Sequence, residues 1–268
     1  MKKHMDKVIV ITGASGGIGY AIAKNLSAHG CRVYDLSRTV KPHLEVTGAY
    51  KCNVNDTARA DEILAEIFQK EGRIDVFINN AGFGIAGAIE NTKSENIYAQ
   101  VDTNLSAVMA LSSVAIKYLK QSGGGNLINI CSVGGIIPLP YQAAYSATKA
   151  GVDVFSRALA NEVKQFNIKV TTVLPGDMKT NFTARRIIDN DTNDEQYKKS
   201  VEKSIKKAEK EELNGASPDV VGKVVYKILK KKNPPLRKTV GFTYKLIVFL
   251  PRVLPLKFVN WLVRKIYI

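Results

Sequence analysis

A short β-branched run, Val8–Ile11, passes straight into Thr12-Gly13-Ala14-Ser15-Gly16-Gly17-Ile18-Gly19. Helix-forming residues follow from Tyr20 to His29, and Gly30 closes the segment. A glycine-rich link between a strand and a helix lets bare backbone approach a pyrophosphate, whose charge the helix N-terminus stabilises. Glycine spacing alone is weak evidence, but its place between the first strand and the first helix strengthens it. Gly13, Gly17 and Gly19 are the glycines of this turn, with Thr12 and Ser15 as hydroxyl partners.

The alternation continues along the chain. Cys31–Leu36 reads as a second strand and Ala49–Cys52 as a weak third. Thr57–Lys70 carries Ile63, Leu64 and Ile67 at helical spacing, and Gly72 stops it. Ile74–Ile78 and Asn126–Cys131 read as the fourth and fifth strands, separated by a long helical stretch around Ile97–Lys120. Ala144–Phe166 is helical, and Lys169–Leu174 is a sixth strand. A charged helical stretch at Thr192–Leu213 follows, then a helix start at Ser217-Pro218-Asp219 and its basic end at Lys230-Lys231-Lys232. Thr239–Gly241 would be a seventh strand. Strands alternating with helices imply an α/β fold, a doubly wound parallel sheet of about seven strands flanked by helices. Such a sheet buries both faces, which fits strands such as VIVI and VTTVL that do not alternate cleanly.

Composition removes other classes. A chain of 268 residues, 45% hydrophobic and 24% charged, is ordinary globular material, enough for one large domain. Its net charge of +15 is unevenly placed: Met1–Asp194 carries +3, and Glu195–Ile268 carries +12. A nucleic-acid role would have to rest on that last quarter, which lacks a binding module, so no nucleic-acid partner is expected. Cys31, Cys52 and Cys131 are widely spaced and lie in or beside strands, so buried reduced thiols are expected. His4, His29 and His43 form no cluster, and no metal site is expected. Neither a signal-peptide run nor a membrane span is evident, and a cytoplasmic location is expected.

Tyr145 and Lys149 stand four apart on a helix, so phenol and ammonium share a face. A phenol has a pKa of about 10, and a neighbouring cation favours its ionised form, which suits acid–base work. Tyr-x-x-x-Lys is common on solvated helices. Its weight comes from Ser132, which directly follows the fifth strand, at the edge where parallel sheets bind ligands.

These landmarks together resemble the short-chain dehydrogenase/reductase family. The stretch Thr12–Gly19 looks like its cofactor glycine motif, and Asn79-Asn80-Ala81-Gly82 like its motif after the fourth strand. Asn104 matches its helical asparagine, Ser132, Tyr145 and Lys149 its catalytic serine, tyrosine and lysine, and Pro175-Gly176 with Thr180 its segment after the sixth strand. The resemblance runs from about Lys7 to Gly241 and implies a Rossmann-type fold. It implies Tyr145 as general acid in carbonyl reduction, or general base in alcohol oxidation, with Ser132 bonded to the substrate oxygen. Lys149 would bind the nicotinamide ribose and lower the tyrosine pKa, and Asn104 would hold a relay water behind it. Ile18 belongs to the glycine motif, Asn80, Ala81 and Gly82 would line the cofactor site, and Pro175, Gly176, Met178 and Thr180 would surround the nicotinamide. A dimer or tetramer through the helices around Ile97–Lys120 and Ala144–Phe166 is also implied. A cofactor-binding sensor without turnover is the alternative.

The family register puts Ser37 where an NAD-type site carries its ribose-binding acid, with Arg38 next. A guanidinium beside a small hydroxyl suits a 2′-phosphate, so NADP(H) is favoured over NAD(H). Asp35, two residues earlier, is the counter-argument and is read as a strand residue. Asn53 with Val54 departs from the usual Asp-Val pair at the adenine.

Residues 1–241 are therefore read as the dinucleotide-binding catalytic domain and residues 242–268 as an apolar, basic C-terminal extension. Pro251 and Pro255 break the extension into short pieces. From Leu256 onward, Lys257, Asn260 and Arg264 share a face, with Phe258, Trp261, Leu262, Val263 and Ile266 mostly elsewhere. An aromatic, apolar face beside basic residues fits peripheral contact with a membrane. The same face could instead close a pocket for a lipophilic carbonyl or alcohol, or meet a second subunit.

Overall fold

Val8–Thr12 forms β1, and all five of its residues are buried. Its side chains alternate between two cores: Val8 and Val10 enter one, Ile9 and Ile11 the other. A strand covered on both faces needs apolar residues at every position, which is why this run shows no polar alternation. Each fully buried Val or Ile contributes about 1.5–3 kcal/mol relative to exposure. The computed structural model describes residues 5–41, 45–189 and 194–268. His4, His43 and the first two residues of the helix expected from Thr192 lie outside the described residues.

The elements follow in strand–helix order. After β1 come α1 (Gly17–Ser27), β2 (Arg32–Ser37), β3 (Gly48–Lys51), α2 (Thr57–Glu71), β4 (Val76–Asn79) and a two-residue strand β5 (Ile85–Ala86). Next are α3 (Ser94–Val101), α4 (Ala107–Gln121), β6 (Gly125–Ile130), α5 (Ala143–Glu162) and β7 (Ile168–Leu174). A short α6 (Phe182–Arg185) and β8 (Ile187–Ile188) lead to α7 (Glu195–Leu213), α8 (Asp219–Leu229), β9 (Arg237–Thr239), α9 (Phe242–Phe249) and α10 (Leu256–Tyr267). Local chemistry sets several of these bounds. Asp56 caps α2 by accepting the Arg59 N–H at 3.0 Å, and Gly72 ends it in the left-handed region at φ 72°.

Seven strands form the main sheet in the order β3-β2-β1-β4-β6-β7-β9, every neighbouring pair parallel. Helices α2, α4 and α5 cover one face, α1 and α8 the other. This is the doubly wound, Rossmann-type sheet expected from the sequence. The strand order reverses between β1 and β4, so the crevice lies at the C-terminal ends of those two strands. A buried polar chain ties the centre of the sheet to its helices. Asn79 donates to Asn129 at 2.9 Å and to Ser112 at 3.0 Å, and Asn129 donates to Ser156 at 2.8 Å.

Three details differ from the sequence expectation. The stretch read as one helix over Ile97–Lys120 begins at Ser94 and contains a widened π-type turn at Asp102–Ser106, which holds Asn104. The seventh strand is Arg237–Thr239 rather than Thr239–Gly241, because Gly241 at φ 91° turns the chain into α9. β5 and β8 pair as a separate parallel two-stranded sheet, too short to be legible as strands. The three cysteines are free and buried, beside the ends of strands. Among the described residues no helix is long and apolar enough to cross a membrane.

Candidate active site

The turn after β1 is built around close approach. A Cβ on Gly19 would stand 2.4 Å from both the Gly13 carbonyl and the Asn80 amide, so no side chain fits there. Gly13 adopts φ +73° with the Ala81 backbone 3.0 Å from where its Cβ would be. α1 then starts at Gly17 with no side-chain cap, which leaves its first N–H groups uncommitted to protein side chains. Thr12 works from behind: its hydroxyl accepts the N–H of Asn80 at 3.0 Å and of Ala81 at 3.1 Å. The Asn80 amide donates back to the carbonyls of Thr12 at 2.9 Å and Gly13 at 3.1 Å. These four bonds lock the ends of β1 and β4 together at the switch point.

Asp35 is a fully buried residue of β2. Its Oδ1 accepts the Ala14 N–H and the Ser37 hydroxyl, each at 2.8 Å, and burial holds its carboxyl above the usual range. The Ser37 hydroxyl therefore points inward, while Arg38 is exposed at the rim of the crevice. Asn53 and Val54 follow β3 on the same wall.

At the other end, Ser132 ends the run from β6, and its Oγ accepts the Gly134 N–H at 3.0 Å. Tyr145 and Lys149 sit one turn apart on α5, both buried, and the Tyr145 phenol lies beside the Ser132 hydroxyl. Burial pushes the Tyr145 phenol up to about 12, against a smaller lowering by the Ser132 hydroxyl. The cation expected to lower it stands farther off, with Lys149 Nζ 5.8 Å from the ring centroid and donating to the Ile130 carbonyl at 3.3 Å. Burial also depresses the Lys149 pKa. Asn104 is fully buried in its π-type turn, where its Oδ1 accepts the Phe83 N–H at 3.0 Å and its Nδ2 donates to the Phe83 carbonyl at 2.8 Å. A Cβ on Gly82 would meet Asn104 Oδ1 at 3.0 Å and Lys149 Nζ at 3.5 Å, so these three residues adjoin. A widened turn frees a helical side chain to reach sideways, and such turns recur at functional sites.

The segment after β7 closes the crevice. Pro175 accepts the Val133 N–H at 3.0 Å, Met178 is buried, and Thr180 Cβ lies 3.6 Å from where the Gly17 Cβ would be. One cavity of about 1340 Å³ runs from Arg38 past the glycine turn to Tyr145 and on under α9 and α10. Every residue named for the site on sequence grounds lines it except Thr12 and Asn104, which act from the layer behind. A dinucleotide fits this crevice: bare glycine backbone and an uncapped helix start lie at one end, and Ser132, Tyr145 and Lys149 at the other. Gly13, Ser15, Gly17, Ile18, Asn80, Ala81 and Gly82 would hold it. Among the described residues no group of three or more His, Cys, Asp or Glu could bind a metal.

Several lining residues were not legible in the sequence. Phe182 packs its ring 5.8 Å from that of Tyr145, with the Arg186 guanidinium 5.7 Å away from it. Arg186 is buried and ion-paired with Glu212, which also accepts from Thr183 at 2.5 Å. Tyr244, Ile247, Val259, Leu262, Val263 and Ile266 of α9 and α10 add an apolar wall. The helical period of the extension announced an apolar face. It did not say which apolar residues turn inward.

A doubly wound sheet with a ligand crevice at its switch point defines a dinucleotide-binding α/β enzyme class. Comparison with known proteins narrows this. Residues 7–191 match the family model described as short chain dehydrogenase. A 3-ketodihydrosphingosine reductase of Bacteroides thetaiotaomicron is 40% identical over 236 residues, 88% of each chain. A 3-oxoacyl-[acyl-carrier-protein] reductase, FabG of Escherichia coli, is 35% identical over 184 residues, 66% of this chain and 75% of that one. The crystal structure of a short-chain dehydrogenase from Streptomyces avermitilis superposes with a TM-score of 0.79 at 27% identity, covering 98% of this chain and 96% of the other. The chain belongs to the short-chain dehydrogenase/reductase family, oxidoreductases that use nicotinamide cofactors on small carbonyl or alcohol substrates.

Proposed function

We propose that this protein interconverts a carbonyl and a secondary alcohol, with NADP(H) as cofactor and a lipophilic chain on the substrate. The observation that carries the reading is continuity: the cavity that holds Ser132, Tyr145 and Lys149 extends without a break into the apolar wall of α9 and α10. When bound, the nicotinamide supplies hydride to the carbonyl carbon or accepts it from the alcohol. Tyr145 gives its phenolic proton to the carbonyl oxygen in reduction and takes it back in oxidation. A phenol pushed up to about 12 keeps its proton at neutral pH, the form that reduction uses. Ser132 donates a hydrogen bond to the same oxygen, Lys149 binds the cofactor ribose, and Asn104 places a water behind Lys149.

Two features support NADP(H) over NAD(H). The Asp35 carboxylate is engaged with Ala14 and Ser37 inside the fold, while the Arg38 guanidinium is exposed at the rim, within reach of a 2′-phosphate. Residues 1–241 act as the catalytic domain and residues 242–268 as its apolar closure. Exposed Tyr98, Met109, Val154 and Phe166 on or beside the helices from Ser94 to Glu162 support a homodimer or homotetramer through those helices. We place the enzyme in the cytoplasm, with peripheral contact to a membrane through residues 242–268.

The test is NADPH oxidation over carbonyl compounds graded by alkyl length, with 3-ketodihydrosphingosine and 3-oxoacyl thioesters among them. The relatives' names make these the first compounds to try. The expected result is a kcat/KM that climbs with chain length. Tight NADPH binding without oxidation of any carbonyl would instead mark a sensor without turnover.

A further inference from the structure

We infer that α9 and α10 form a two-faced lid whose outer face docks on an anionic lipid bilayer. The inference rests on the reading of a lipophilic substrate, and it names the surface from which that substrate arrives.

At 3.6 residues per turn, α9 divides cleanly. Thr243, Tyr244 and Ile247, with Leu250 just past the helix, line the cavity, whereas Phe242, Lys245, Leu246 and Phe249 are exposed on the opposite side. α10 divides in the same way. Val259 is buried, and Leu262 and Val263 face the cavity beside it. On the outside, Phe258 and Trp261 stack at 5.6 Å, and Lys265 Nζ lies 6.0 Å over the Trp261 ring. Phe242 is 76% exposed and Trp261 51%. Nine of the twenty large exposed hydrophobic residues among the described residues fall between Phe242 and Ile268, and all but the cavity-lining Ile266 lie off the wall. Packing on the catalytic domain explains the inner set alone, and a concentrated outer patch of this kind marks an interaction surface.

Charge decides what covers it. Residues 242–268 carry five basic side chains, Lys245, Arg252, Lys257, Arg264 and Lys265, and no acidic one. In a two-fold pairing of two copies through this face, each cationic patch would meet itself. A negatively charged bilayer meets both halves of the patch. Aromatic rings enter the headgroup boundary, and lysine and arginine pair with anionic lipid. The cavity then lies directly beneath the docked helices, because the inner faces of the same two helices form its wall.

Trp261 is the sole tryptophan, so its emission reports on this face directly. The full chain is mixed with vesicles of equal parts phosphatidylcholine and phosphatidylglycerol, and separately with phosphatidylcholine alone. The expected result is co-sedimentation and a blue shift of Trp261 emission with the anionic vesicles, both much weaker with neutral ones. Lys257→Glu with Lys265→Glu should lower anionic-vesicle affinity by at least about 30-fold, while turnover of a short water-soluble carbonyl stays unchanged. That turnover also shows that the variant is folded, and it separates failure here from failure of the proposed chemistry. Equal binding by variant and wild type, or no binding to either vesicle, overturns the inference. So does a stable dimer in which Trp261 emission is already blue-shifted without lipid, since a second copy would then cover the face.

Discussion

The Tyr244 phenol donates to Asp177 Oδ2 at 2.5 Å, and the Tyr244 ring lies against the Cα of Gly176. One residue of α9 is thereby fastened to the segment that follows β7, so the lid and the cofactor wall are a single mechanical unit. Burial and the Asp177 bond both raise the Tyr244 pKa, so the phenol remains a donor. A Cβ on Gly176 would stand 2.2 Å from the Tyr244 ring, which must then move. Gly176→Ala is therefore expected to displace the start of α9 and lower kcat/KM for a long-chain substrate by about tenfold or more, the scale of an overpacked contact. Tyr244→Phe keeps the ring and strands the carboxylate, at about 1–3 kcal/mol, which a thermal melt reads as a Tm a few degrees lower.

Lys149 is a buried cation whose pKa burial depresses below 10.5. The folded state therefore holds this proton less well than the unfolded chain does. Stability from this group is lowest below the depressed value and rises as pH climbs from there toward the ordinary one. Lys149→Met should melt about 2–4 °C higher than wild type at pH 7 without added nucleotide, and the gap should narrow in alkali. The same variant should lose turnover. A lower Tm at pH 7 would mean that the Ile130 bond outweighs desolvation.

The proposed preference for NADP(H) rests on Arg38. A charge-assisted contact to a phosphate contributes about 1.5–3 kcal/mol, and about 1.4 kcal/mol is tenfold in an equilibrium constant. Arg38→Asp should therefore cut the ratio of kcat/KM for NADPH over NADH by about tenfold or more. An unchanged ratio would remove Arg38 from the 2′-phosphate site.

The apolar wall makes a prediction about chain length. Leu262 lines the cavity from α10. Leu262→Trp narrows that end and should depress kcat/KM for long alkyl ketones by about tenfold while sparing short ones. Steady-state kinetics across a homologous series reads this directly.

The Ser132–Tyr145–Lys149 end of the candidate site was legible because its signals are local. Gly13 to Gly19 lie in one turn, Ser132 directly follows a strand, and Tyr145 and Lys149 are one helical turn apart. The parallel, doubly wound sheet followed from strand–helix alternation, with strand bounds shifted by a residue or two. The lid was legible only in part, because its contacts are distant in sequence. Tyr244 meets Asp177 across 67 residues, and Tyr267 meets Glu211 across 56. No period in the sequence encodes such pairs. Asn104 was singled out by its motif, but the π-type turn that holds it was not, since the weak helix formers Asp102, Thr103, Asn104 and Ser106 give no sign of which kind of turn they adopt. The inward turn of Leu262 and the outward turn of Trp261 depend on where α7 and the cavity lie, which amphipathic spacing does not specify.

The proposed reaction depends on Tyr145 moving the proton. The most direct test measures carbonyl reduction by Tyr145→Phe together with its NADPH dissociation constant. The expected rate is lower by about 10²–10⁴, the usual contribution of a positioned acid–base group, with nucleotide affinity close to that of wild type. A Tyr145→Phe enzyme that binds NADPH normally and reduces the carbonyl at the wild-type rate would contradict it.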